Sequence, residues 1–173
     1  LNKKLLEKGF FKQYTAKMRQ IRNEAEEKMQ NEAKMFFSAL DNNGLSIQDL
    51  SYGKSGPAGY FVKLQAGIYD ESIITGRVRK AIDEAGADKW VKKTSPDELR
   101  QFAESTLSPM LCHAEDVRQK SWYLYESAVL TLRHLNQLRL LNSIEKKVRE
   151  MNVEANRFLL SDTHTLLHSL VKD

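Results

Sequence analysis

The sequence predicts an all-α fold, an elongated helical bundle with two long terminal helices and short helices inserted between them, and three observations carry that expectation. Apolar residues recur at steps of three and four over long stretches at both ends of the chain. With 8 Gly and 3 Pro in 173 residues, the chain lacks the punctuation that many short strands and turns require. Charged residues reach 29% against 41% apolar, a balance that suits exposed helical faces better than a thick core. A chain of this length is expected to form one domain, 1–173, and to bury a core without metals or disulfides.

The first element is predicted as a helix over residues 3–40. Phe11, Tyr14, Met18, Ile21, Ala25, Met29, Ala33, Phe36 and Leu40 lie on one helical face. Their mean step is close to 3.6, which predicts a straight packed helix and not a sustained heptad repeat. Asp41-Asn42-Asn43-Gly44 then supplies residues that tolerate left-handed backbone and should end it.

The insertion, about 45–108, is broken up by closely spaced glycines and should hold short helices. Asp70 is expected to cap a helix running to about Ala85, with Gly76 inside it and Gly86 just past its end. Ser95-Pro96-Asp97-Glu98 reads as a capping box with Pro96 in the first helical position, opening a helix that runs to Leu107. Between Tyr60 and Ala66, Val62, Leu64 and Ala66 alternate with Lys63 and Gln65, so residues 60–66 suit a strand as well as a helix.

Ser108-Pro109 repeats the cap-then-proline pattern and should open the second long helix, 109–160. A helix unbroken to Val171 would outrun a domain of this size, so a break is expected at Ser161-Asp162-Thr163, before a last piece at 162–171, with Asn152 as the other place for it. Each amphipathic face of this length needs a partner, and the two long helices are expected to pair with each other.

Motifs that would name a chemistry fail on spacing. Gly53-Lys54-Ser55 resembles the end of a phosphate-binding loop, but position 48, where its first glycine belongs, is Gln. A calcium loop starting at Asp41 would need its glycine two positions later than Gly44, and a Glu where Tyr52 stands. None of His113, His134, His164 and His168 follows a Glu by three, as carboxylate-bridged di-iron bundles require, and no Glu follows His164 to complete a metalloprotease motif with His168. Catalytic, cofactor-binding and metal-ligating residues are therefore not assigned, and neither a cofactor nor a small-molecule substrate is expected.

Arg157 precedes His164 by seven, an Arg-x6-His spacing that resembles the HEPN helical ribonucleases. The resemblance covers these two residues, departs from the commoner four-residue gap, and has Phe158 where a polar residue usually follows the Arg. It implies a ribonuclease in which the two side chains act together at a bundle interface.

Two surfaces stand out. Lys3, Lys4, Lys8, Lys12, Lys17, Arg19 and Arg22 oppose a single acid, Glu7, in the first 22 residues, with Phe10, Phe11 and Tyr14 interleaved. Such an arm could lie along nucleic-acid phosphates, the plainer alternative being a solvated helical face in a chain whose net charge is only +4. Trp122, Tyr123 and Tyr125 are nearly consecutive on a helix and cannot all face one core, so at least one should be exposed or sandwiched; they suit a partner contact, the plainer alternative being a bundle core contacted from several sides.

Cys112 is the lone cysteine, which excludes an internal disulfide and favours a reducing, cytoplasmic setting. That placement is provisional, because Leu1 stands first instead of Met, leaving room for a removed leader or a preceding domain. No apolar run is long enough to span a membrane. The expected function is a non-enzymatic helical scaffold or adaptor that binds a protein partner, or itself as a homodimer, through apolar helix faces. Nucleic-acid binding by the basic N-terminal helix is the alternative, and a HEPN-like ribonuclease the third.

Overall fold

A computed structural model of the chain describes residues 9–155. The fold is all-α, with no strand among the described residues. Helix α1 spans Phe10–Asn42, α2 Ala58–Gln65, α3 Gly76–Asp83, α4 Ala87–Trp90, α5 Asp97–Phe102 and α6 Ser108–Glu154, with 3-10 turns at Ile47–Asp49, Gly53–Ser55 and Glu71–Ile73 and a π-helical turn at Ala103–Leu107. The described residues divide into two units on either side of the step from Leu130 to Thr131. In the second, residues 131–154 belong to α6.

Helix α1 stops where the Asp-Asn-Asn-Gly run predicts. Gly44 takes a left-handed φ of 65°, the Leu45 amide donates to the Leu40 carbonyl and the Gly44 amide to Asp41, each at 3.0 Å. These bonds form a Schellman ending, which satisfies two carbonyls that the helix leaves open. Leu45 folds back onto the core beside the buried Leu40. Toward its other end the helix buries less: the continuous inward face begins at Ala25 and runs through Met29, Ala33 and Phe36 to Leu40, whereas Tyr14 is exposed.

The core of the first unit is aromatic. Phe36 of α1 stacks on Phe61 of α2 with ring centroids 3.9 Å apart and planes 4° from parallel, and Trp90 of α4 lies 6.0 Å from Phe36. These rings bring α1 onto α2, and α1 also meets the long C-terminal helix, to which the sequence pattern pointed, where Glu32 stands 3.6 Å from His113. Residues 60–66 prove helical up to Gln65 because α2 is enclosed on nearly every side: Ala58, Gly59, Tyr60, Phe61 and Leu64 are all buried. An element buried all round carries no face-specific pattern, so its alternation was accidental.

Helix α2 approaches the preceding turn so closely that only glycine fits. A methyl group on Gly59 would run into the Lys54 carbonyl, and one on Gly56 into that of Ser51. Backbone atoms cannot swing aside as a side-chain tip can, so Gly59→Ala should cost about 1–3 kcal/mol. Gly76→Ala meets open space at a backbone without a left-handed φ and should instead gain roughly 0.4–1 kcal/mol by reducing the freedom of the unfolded chain. Urea midpoints for the two variants, moving in opposite directions, check both statements.

Two caps differ from expectation. Asp70 caps only the short turn Glu71–Ile73, accepting from the Ser72 amide, and Thr75 opens a separate helix by accepting from Val78, so Gly76 is the first residue of α3 and no longer an interior weakness. Ser95 does not cap: Pro96, with ψ of 146°, is itself the residue before the helix, and α5 begins at Asp97.

Ser108 is likewise no cap. Its φ and ψ of −65° and −49° are helical, and the chain passes from α5 through the π turn into α6 without leaving helical conformation. The sequence explains the wide turn. Leu99, Ala103, Leu107 and Leu111 all face the core at steps of four, and each such step in an α-helix advances about 40° beyond a full circle. One turn with i→i+5 bonds takes up the surplus residue and keeps the face inward. Pro109, which has no amide to donate, follows directly. Further on, Asn152 sits within α6, and Ser161, Asp162 and Thr163 lie outside the described residues.

Candidate functional site

The strongest polar constellation joins α2, α6 and the segment between Tyr69 and Glu71. Arg118 is completely buried. Its Nε and Nη2 donate to the two carboxylate oxygens of Glu115 at 2.8 and 2.7 Å, its Nη1 to the Tyr69 carbonyl at 2.7 Å, and its Nη2 also to Glu71 at 3.1 Å. Tyr60 and Gln119 donate to the same Glu115 carboxylate at 3.1 and 2.8 Å. Burial pushes the Glu115 pKa upward, but the bonds from Arg118 and Gln119 outweigh it and hold the carboxyl below its ordinary value. Burial and the neighbouring Glu115 carboxylate both raise the Tyr60 phenol, which stays a neutral donor. Every strong donor and acceptor of the cluster has a partner inside it, an arrangement that fixes geometry and leaves little free to meet a substrate.

A second buried carboxylate behaves in the opposite way. Glu32 of α1 is 8% exposed, and its pKa is raised by burial, an effect opposed by His113 of α6, whose Nε2 stands 3.6 Å away.

The residues singled out by sequence scatter. Lys12, Lys17, Arg19 and Arg22 lie on α1, the first three exposed and Arg22 partly so and bonded to Asn23, while Lys3, Lys4 and Lys8 fall outside the described residues. Lys12 and Arg19 share a face, but Lys17 is turned about 140° from Lys12, so these do not form one stripe. The aromatic trio divides: Trp122 and Tyr125 pack against the core, Tyr125 edge-on to Tyr69 at 5.3 Å, and Tyr123 is 67% exposed. Arg157 and His164 lie outside the described residues, as does His168.

In the second unit α6 carries a row of exposed apolar side chains. Leu141, Ile144, Val148 and Met151 are spaced three, four and three apart, and Ala155 follows at four. Ile144 is 51% and Met151 56% exposed. The flanks are mixed in sign, with ion pairs Arg149–Glu145 at 2.8 Å and Lys147–Glu150 at 3.7 Å along the helix. This three-and-four spacing matches the a/d positions of a heptad. Among the described residues no helix is long and apolar enough to cross a membrane, and no group of three or more His, Cys, Asp or Glu is placed to hold a metal.

The first unit also carries two clefts around the Gly53-Lys54-Ser55 turn. One, of about 630 Å³, is lined by Lys54, Lys63, Arg77 and Lys80 with Ser55, Thr75 and Gly76; the other, of about 390 Å³, lies between Tyr52, Asp88, Lys92 and Lys93. Sequence reasoning dismissed the Gly-Lys-Ser run for want of a phosphate-binding loop, and it missed Glu115 and Arg118. A signal for the clefts was present in the lysines at 54, 63 and 80, which only the fold assembles. Comparisons with models of protein families, with curated proteins and with solved structures return no match.

Proposed function

We propose that the chain is a non-enzymatic helical docking protein that assembles with a second copy of itself through the C-terminal part of α6. The observation behind this reading is the exposed seam Leu141, Ile144, Val148 and Met151, whose three-and-four spacing matches what a second helix of the same kind needs. A large solvent-facing apolar row costs solubility unless something covers it. Its flanks favour a like partner: Arg139, Lys146, Lys147 and Arg149 are mixed with Glu145, Glu150 and Glu154, so two copies present no single-sign field to repel each other. The absence of an assigned catalytic set in the sequence, and the self-satisfied character of the Arg118 cluster, fit a binding role.

The double variant Ile144→Asp with Val148→Asp places a charge on two successive seam positions. Light scattering coupled to size-exclusion chromatography should show the unaltered chain at twice its chain mass at micromolar concentration and the variant at a single chain mass. An unaltered chain that runs as a monomer throughout that range sinks the reading.

A further inference from the structure

Tyr52 is an aromatic residue that contributes nothing to the buried core. Its φ of 62° is left-handed, a conformation that costs a residue with a Cβ about 1–2 kcal/mol. Its ring is 67% exposed, so burial does not offset that strain. The position is nonetheless held firmly: the Ser51 amide donates to the Trp90 carbonyl at 2.6 Å, the Ser55 amide to the Tyr52 carbonyl at 2.9 Å, and Gly59 backs onto Lys54.

Around this ring cations predominate, with Asp88 the carboxylate in the lining of the two clefts. Arg77 lies over the Tyr52 ring, its guanidinium carbon 4.3 Å from the centroid, and also donates to the Ser55 carbonyl. Lys54, Lys63 and Lys80 share its cleft, and Lys92 and Lys93 line the cleft on the other side of Tyr52. None of these six cations makes an ion pair among the described residues. Two carboxylates sense them: Asp70, near Lys63, is held by the Ser72 amide, and Asp88, near Lys93, is paired with Lys89. Helix α3 begins in the wall of the larger cleft, adding the positive end of its dipole.

Cations alone would suit any anion. A strained, exposed ring set between two groups of them suits a ligand with alternating phosphates and unpaired flat bases. We propose that this surface binds single-stranded nucleic acid, with a base stacked on Tyr52 and the backbone phosphates received by Lys54, Lys63, Arg77 and Lys80. A duplex hides its base faces, and an acidic peptide or free pyrophosphate has no base to stack.

The test is fluorescence anisotropy of the full chain with a labelled 15-nucleotide single strand between 50 and 200 mM salt. Four phosphate contacts at a slope of about −0.7 each predict roughly a 50-fold loss of affinity over that range. Tyr52→Gly removes the ring while suiting the left-handed backbone, so it should weaken binding about tenfold without lowering the melting temperature. Lys54→Glu with Lys80→Glu should abolish binding at 200 mM. No binding at 50 mM overturns the proposal. So does a Tyr52→Gly variant that binds as well as the parent, equal affinity for a duplex of the same length, or equally effective competition by polyglutamate or pyrophosphate.

Discussion

Replacing Arg118 by Ala is expected to destabilise the protein by about 3–5 kcal/mol, a large part of the roughly 5–15 kcal/mol that holds a domain folded. The loss does not come from the pair's own strength. It comes from what the substitution strands: the Glu115 carboxylate, 7% exposed, keeps only Tyr60 and Gln119, and the Tyr69 carbonyl loses its donor. Arg118→Met combined with Glu115→Leu removes both charges and fills the space with apolar atoms. It should recover much of the loss, and a guanidinium denaturation cycle over the single and double variants measures the coupling. If the Arg118→Ala variant loses less than 1 kcal/mol, the buried network is not formed in solution.

The same cluster sets a pH dependence. Glu115 has a folded pKa below its unfolded value, so its contribution is full above the ordinary carboxylate range and disappears as pH falls through the lower, folded value. Glu32 has a raised folded pKa and works against it: folding gains relative stability as pH drops through that value toward the unfolded one. Glu32→Gln should therefore raise stability at neutral pH, where the parent must keep a carboxylate charged in a buried site, and steepen the loss on the acid side, where protonation of Glu32 no longer offsets that of Glu115.

The second large effect is expected at Phe36. Phe36→Ala should cost about 3–5 kcal/mol, because the ring is fully buried and its removal strips the stacking face from Phe61 and one wall from Trp90 at once. Phe36→Leu retains most of the volume and should cost far less. The two losses, read from urea midpoints at unchanged slope, separate the cavity left by Ala from the smaller change of shape.

What the sequence disclosed, and what it withheld, follows from the range over which each feature is decided. The end of α1 was legible because Asp41 to Gly44 encode it within four residues. The long helices were legible because their periodicity repeats many times. Asp70 and Thr75 were confused because both are competent caps a few residues apart, and tertiary packing decides which one starts a helix. Arg118 and Glu115 were invisible because Glu-x-x-Arg on a helix is an ordinary solvent-facing pair; only Tyr69 and Tyr60, roughly fifty residues away in the chain, turn it into a buried one. The left-handed backbone of Tyr52 had no local signal, since nothing in Ser-Tyr-Gly requires it.

The π turn at Ala103–Leu107 has a consequence for any rearrangement of the chain. It works as a phase shifter: one residue is absorbed there, and every side chain downstream keeps its compass bearing only while that residue stays absorbed. Were the wide turn to tighten, the azimuth of Leu111, Ala114 and Arg118 would swing by about 100°, bringing the guanidinium round toward water and unseating the whole lower register in one motion. Five residues thus act as the vernier on which the alignment of the first unit is set.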